Sequence, residues 1–186
     1  MKQTIFVQLF VLLCLVDQVI QLTPLMSNMY SGDISTSDLL YFKKVDCHSW
    51  NSVISALPMK KYATTEVTIK LICGNVFMIG VGPKHKDLLS HQFWGLMPDT
   101  YSYYTASGER HTRGNSIDYG TVAAVGDLIK MRVDLHEDQQ YVEFFRNGHS
   151  MGKAFGGLLD IEDIYFGMSI HYPEHSFKIV DYVVTN

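Results

Sequence analysis

Four short stretches carry the residue types that do chemistry. Cys47-His48 sets a thiol beside an imidazole, the pair of a cysteine nucleophile, but no Asn or Asp stands where its spacing suggests an orienting group. His136-Glu137 opens like a zinc-protease helix, yet Gln140 occupies the place of the second histidine. His171 and His175 are four apart, a spacing that aims two imidazoles at one metal only on a helix, and Pro173 between them opposes a helix. Gly80-Val81-Gly82 runs into Pro83 instead of completing a dinucleotide-binding loop. No phosphate-binding loop occurs. With no convergent acid, base and nucleophile, the sequence predicts a protein that is not an enzyme and needs no cofactor and no metal.

The elements that would position these residues follow from composition. The chain has 186 residues, 47% of them hydrophobic and 18% charged, which excludes a disordered chain. Its formal net charge is -4, so it lacks the basic surplus that phosphate neutralisation needs, and nucleic acid is not an expected partner. Aromatic residues reach 12%, a composition that favours strands. Thr65, Val67, Ile69 and Leu71 alternate with polar residues, as do Ile129, Met131, Val133 and Leu135, each a strand with one wet face. Val76 to Val81 is apolar on both faces and reads as a central strand. Gln140 to Arg146, Ile164 to Ile170 and Phe177 to Val184 complete the set, and Asn147-Gly148 marks a tight hairpin with positive φ at both residues. No long stretch after position 38 has a helical stripe. The expected fold class is all-β, a sandwich or barrel of antiparallel strands.

Residues 1–22 have a lysine at position 2, an apolar run from Ile5 to Val16 and a closing Asp17. This is the layout of a secretory signal peptide, without a small-residue cleavage site. The alternatives are a membrane anchor, for which the run is short of the ~20 residues a helix needs, or an apolar segment packed on the domain. Localisation is therefore expected to be secreted, the alternatives being cytoplasmic or membrane-anchored, with membrane contact only if the segment is retained. Residues 23–38, rich in Ser, Thr, Asn and Asp, read as a linker into a domain spanning 39–186. Cys47 and Cys73 either pair in a secreted chain or stand as separate buried thiols in neighbouring strands.

Residues Lys61 to Val183 resemble a SPRY domain, the core of the B30.2 family. The pieces run in order: Tyr62-Ala-Thr-Thr-Glu-Val, Phe77-Met-Ile-Gly-Val-Gly, Phe93-Trp94-Gly95 followed by Tyr103-Tyr104, and Gly126-Asp127 with the strand after it. Phe144-Phe-Arg-Asn-Gly-His-Ser-Met-Gly-Lys-Ala-Phe155 is close to the family's hairpin, and Ile164-Tyr-Phe-Gly-Met-Ser-Ile matches its penultimate strand. Met131 and Arg132 depart from the valine- and glycine-containing strand usual after Gly-Asp. No RING, B-box or coiled coil precedes the match and no cullin-binding box follows it, so membership of a ligase is not expected from this chain.

The resemblance implies a bent sandwich of two antiparallel sheets, no enzymatic activity, and recognition of a protein or peptide ligand by loops at one end of a rigid frame. The function expected is a protein-interaction module, secreted or effector-like. The alternative is an intracellular adaptor, for example a substrate-recognition domain of a ubiquitin ligase assembly. The family's ligand loops correspond to 83–92 and 171–175. Tyr172 is the expected anchor, Pro173 fixes its loop, and Pro83, His85, Leu88 and His171 complete the wall, provided that the two loops converge. Trp94 and Phe144 are expected in the core.

Overall fold

The computed structural model describes residues 26–30, 33–89, 91–158 and 161–186; the segment 1–22 lies outside them. In chain order the strands are β1 (Met26–Tyr30), β2 (Ile34–Thr36), β3 (Tyr41–Lys44), β4 (Asn51–Ser55), β5 (Thr64–Cys73), β6 (Phe77–Gly82) and β7 (Tyr101–Tyr104). They continue with β8 (Glu109–Thr112), β9 (Asn115–Asp118), β10 (Leu128–Asp134), β11 (Tyr141–Arg146), β12 (His149–Gly156), β13 (Tyr165–Ile170) and β14 (Ser176–Thr185). The described residues hold no α-helix, only a short 3-10 turn, Lys86–Leu89.

All pairings are antiparallel and make two sheets of seven strands among the described residues. The first runs β1-β4-β13-β6-β7-β8-β9 and the second β12-β11-β10-β5-β14-β3-β2. Alternation builds the core. Val67, Ile69 and Leu71 of β5 and Ile129, Met131 and Val133 of β10 turn inward and meet Val53, Phe77, Ile79, Val81, Phe166, Met168 and Ile170 of the first sheet. The wet face of the second sheet is charged: Glu66 takes Lys130 at 3.1 Å and Arg132 at 2.6 Å, and both cations lie over the Phe145 ring. The Asn147-Gly148 turn has φ of 50° and 83°, as its sequence predicts.

The first sheet is covered on both faces, which is why β4 and β6 are buried along their whole length. A strap, residues 83–100, leaves β6 and folds over the outer face. Leu88 and Trp94 pack there on Ile54 and Met78. Three serines on that face hold the strap. Ser102 Oγ donates to the Trp94 carbonyl at 2.6 Å, the Trp94 N–H donates to Ser169 Oγ at 3.0 Å, and Ser52 Oγ donates to the Gln92 carbonyl at 3.3 Å. The Trp94 indole rests on Gly167, where a Cβ would sit inside the ring.

The structure corrects two expectations. Residues 23–38 are not simply a linker: Met26–Tyr30 pairs with β4 and Ile34–Thr36 with β3, as outermost strands of the two sheets. Edge strands pair on one side only, so polar residues suffice to build them. Nor are the cysteines buried. Cys47 is exposed in the turn after β3 with φ of 45°, Cys73 is exposed at the end of β5, and both are free thiols.

Two variants test this frame. Gly148 has open space around its Cα, so Gly148→Val strains only the backbone, and a β-branched residue at φ of 83° should cost at least ~1 kcal/mol. Gly167→Ala places a methyl in the Trp94 ring and should cost ~1–3 kcal/mol, as overpacking does, with a red shift of tryptophan emission as the indole is displaced. Urea denaturation midpoints check both, and an unchanged midpoint refutes the corresponding contact.

Candidate functional site

A buried charge fixes the first piece of the site. Lys44, inward at the end of β3, has a fully buried side chain, a costly placement unless its ammonium is met by polar groups. Its Nζ lies 3.4 Å from Ser49 Oγ, 3.7 Å from Cys47 Sγ and 3.9 Å from the Asp33 carboxylate. Asp33 also accepts from Asn51 Nδ2 and from Cys47 Sγ, each at 3.2 Å. This knot holds the turn 45–50 and so aims His48 and Trp50.

The second piece is the turn 171–175 between β13 and β14. It is stapled to β3: the Lys44 N–H donates to the His175 carbonyl, the Glu174 N–H donates to the Lys44 carbonyl, both at 3.0 Å, and the Glu174 carboxylate meets Lys43 Nζ at 2.7 Å. The His175 ring lies over Gly74 and 5.6 Å from the Phe77 ring. The third piece is the strap, which carries Phe93 to the same place.

The three pieces meet as a chain of rings. Trp50 lies 4.9 Å from His171, 5.2 Å from Phe93 and 6.1 Å from Tyr104. Tyr172 lies 4.4 Å from His171, 5.3 Å from His48 and 5.4 Å from His175. Phe93 and Tyr104 both reach His111. Most of these contacts are edge-on, the geometry that ring quadrupoles prefer. Trp50 and Phe93 are half-buried and Tyr172 is 39% exposed, so the rings present a surface as well as a core.

Burial holds the imidazoles of His111, His171 and His175 below the ordinary histidine range; at His171 the nearby His48 and Lys44 push the same way, and at His111 Glu109 opposes it. These rings are therefore neutral at pH 7, each with one donor and one acceptor nitrogen. Nδ1 of His171 and Nδ1 of His175 are buried with no hydrogen-bond partner, and Nε2 of His111 faces the Glu109 carboxylate at 3.7 Å. The arrangement leaves aromatic area exposed, and the described residues contain no group of three metal-ligating side chains.

The residues singled out from sequence do not form one surface. His171, Tyr172 and Pro173 lie in the ring cluster. Pro83 and His85 do not, because β6 and β13 are antiparallel, with Gly82 opposite Tyr165 and Phe77 opposite Ile170. The chain leaves β6 at one end of the sheet and β13 at the other. His85 sits at the far end, its Nε2 3.1 Å from the Pro98 carbonyl. Leu88, a side chain of the strap itself, is turned onto the sheet and fully buried there, so it does not line a ligand pocket. The returning strap supplies Phe93 instead. Sequence reasoning missed His48, Trp50, Phe93, Tyr104 and His111; the structure brings Trp50 to the cluster because it immediately precedes β4, whose Asn51 pairs with Ile170, next to His171.

No protein-family model matches the sequence, and no curated protein matches it. Solved structures do match in fold. The SPRY domain of human HERC1 superposes with a TM-score of 0.67 at 15% identity, covering 83% of this chain and 95% of that one. A second human SPRY domain gives a TM-score of 0.68 at 14% identity, covering 81% and 95%. The expected two-sheet antiparallel sandwich, its order of strands and these superpositions agree: the chain folds as a SPRY-like domain.

Proposed function

We propose that this chain is a non-enzymatic module that recognises a protein or peptide through the ring surface of Trp50, Phe93, His171 and Tyr172. The observation that carries the reading is the geometry of Tyr172 and Trp50: aromatic side chains partly exposed yet locked by neighbouring rings, so little side-chain entropy is lost on binding. Nucleic acid fits poorly, since no cation of the cluster is free to meet phosphate: Lys44 is buried and Lys43 is paired with Glu174. The N-terminal apolar run supports a secreted, effector-like form of the module, and mass spectrometry of the mature N-terminus tests that part: an intact Met1 would overturn it.

Selection of a displayed peptide library on the wild-type chain tests the surface. Against the selected peptides Tyr172→Ala should lose at least ~2 kcal/mol, roughly thirtyfold in affinity, with its urea midpoint little changed. His85→Ala, at the opposite end, should bind as wild type does. Equal affinity of Tyr172→Ala and wild type for every selected peptide removes the surface from consideration.

The histidines add a pH dependence to stability. Their folded pKa values lie below the unfolded value of 6.5, so below that pH the unfolded chain binds more protons than the folded one. The stability present above pH 6.5 is therefore lost as the pH falls through that value. The urea midpoint should be lower at pH 5.5 than at pH 7.5, and the drop should shrink in a His171→Asn, His175→Asn double variant; an equal drop in both would show that these rings are not its source.

A further inference from the structure

The described residues expose two free thiols, and their surroundings differ. Cys47 Sγ lies 3.7 Å from Lys44 Nζ and 2.9 Å from Ser49 Oγ, and its S–H donates to the Asp33 carboxylate at 3.2 Å. The cation beside Cys73 is Lys43, whose ammonium is already taken by Glu174 at 2.7 Å.

Lys44 is the second observation. Its side chain is fully buried, and an ammonium brings three donors. Charge-assisted hydrogen bonds ordinarily close to about 2.7–2.9 Å. Here the nearest polar groups stand at 3.4 Å for Ser49 Oγ, 3.7 Å for Cys47 Sγ and 3.9 Å for the Asp33 carboxylate. The cost of burying this charge is therefore only partly offset. Of the three groups, Cys47 is the one whose residue is exposed, so the unsatisfied ammonium backs a sulfur that solutes can reach. An oxygen carried on Sγ fits the gap between sulfur and nitrogen. An S–O bond and a hydrogen bond of about 2.8 Å to Nζ span the observed 3.7 Å with an open angle at oxygen, so neither side chain has to move.

We propose that Cys47 is a reversible oxidation site, which a hydroperoxide converts to a sulfenate held by the Lys44 ammonium and the Ser49 hydroxyl. The sulfur attacks one peroxide oxygen, an S–O bond forms and the O–O bond breaks. The S–H proton ends on the departing oxygen, which leaves as water when the oxidant is hydrogen peroxide. Sulfur gives up two electrons and the peroxide takes them. Lys44 offsets the negative charge that grows on sulfur, as cations beside reactive thiols do. Asp33 loses the S–H donor but keeps the Asn51 amide at 3.2 Å. An external thiol reverses the change: it displaces the oxygen as water, and a second thiol frees Cys47 from the mixed disulfide. The site lies in the knot that aims His48 and Trp50, yet its chemistry does not depend on what the ring surface binds.

The test treats the whole chain with hydrogen peroxide in the presence of dimedone, a dione that alkylates sulfenic acids, and reads each labelled peptide by mass spectrometry. Cys73, equally a free and exposed thiol, is the internal reference. Labelling at Cys47 should exceed that at Cys73 by at least about tenfold, the scale of one hydrogen bond to a charged group. Lys44→Met keeps the length of the side chain without its charge and should bring Cys47 down to the level of Cys73. Ser49→Ala removes a single hydroxyl and should lower the excess about threefold, the scale of a neutral hydrogen bond; it decides the matter if Lys44→Met shifts the urea midpoint. Prior reduction with a thiol should restore unlabelled Cys47 when dimedone is added after the peroxide is removed. The proposal is overturned if Cys73 is labelled as fast as Cys47, if Lys44→Met with an unchanged urea midpoint keeps the excess, if Ser49→Ala leaves the excess as it was, or if thiol treatment fails to reverse the oxidation.

Discussion

The contact on which the rest of the molecule depends is the Trp94 indole lying flat on Gly167. A sheet of a two-layer sandwich ordinarily leaves its outer face to water. Here that face carries Ile54, Met78, Gly80 and Gly167, and a residue with a Cβ at 167 could not admit the ring. Once the indole is seated, the strap has little freedom, because the backbone on both sides of it is taken by Ser52, Ser169 and Ser102. Buried backbone groups must find partners, and the serine hydroxyls supply them on a face too flat to offer a ladder. The strap then brings Phe93 to Trp50, and through it β6 contributes to a surface at the end of the sheet opposite to where its chain departs.

What the sequence makes legible is what hydrophobic periodicity encodes. The alternation in β5 and β10 marks which side chains enter the core, and the doubly apolar run of β6 marks a strand covered on both faces, although not by what. The polar strands Glu109–Thr112 and Asn115–Asp118 stay hidden, because edge strands with partly or fully exposed side chains have no apolar period to show. Met26–Tyr30 has no apolar period in its sequence either. The site is less legible than the fold for a geometric reason. Loops 83–92 and 171–175 look equivalent in sequence, each following an apolar strand, but antiparallel pairing sends them to opposite ends. Leu88 looked like a loop side chain and is a core one, since the strap that carries it is itself a packed layer.

The two outer faces differ in what they leave unpaired. On the second sheet Glu66, Lys130, Arg132 and Glu143 satisfy one another, and Phe145 lies under two of the cations. Such exposed pairs add little stability, about 0–1 kcal/mol each, but they leave no unfilled valence for a partner to complete. On the first sheet the ring cluster is built from side chains that fill space without satisfying their nitrogens. Burial that keeps His171 and His175 neutral also removes the charge that would have attracted a counter-ion or water.

The two ends of the first sheet consequently differ in kind. At the Phe77–Ile170 end the surface is aromatic, and burial holds His171 and His175 below the ordinary histidine range. At the far end a cleft of about 660 Å³ carries both signs of charge, Arg110 and Lys153 along its walls and Glu137 and Asp138 at its rim. The frame between them is a rigid sheet with β4 and β6 wholly buried, so occupation of one end has no soft element through which to disturb the other. The strap crosses that frame from Gly82, opposite Tyr165, to Phe93 beside Trp50, so the two ends are joined by a packed layer as well as by the sheet.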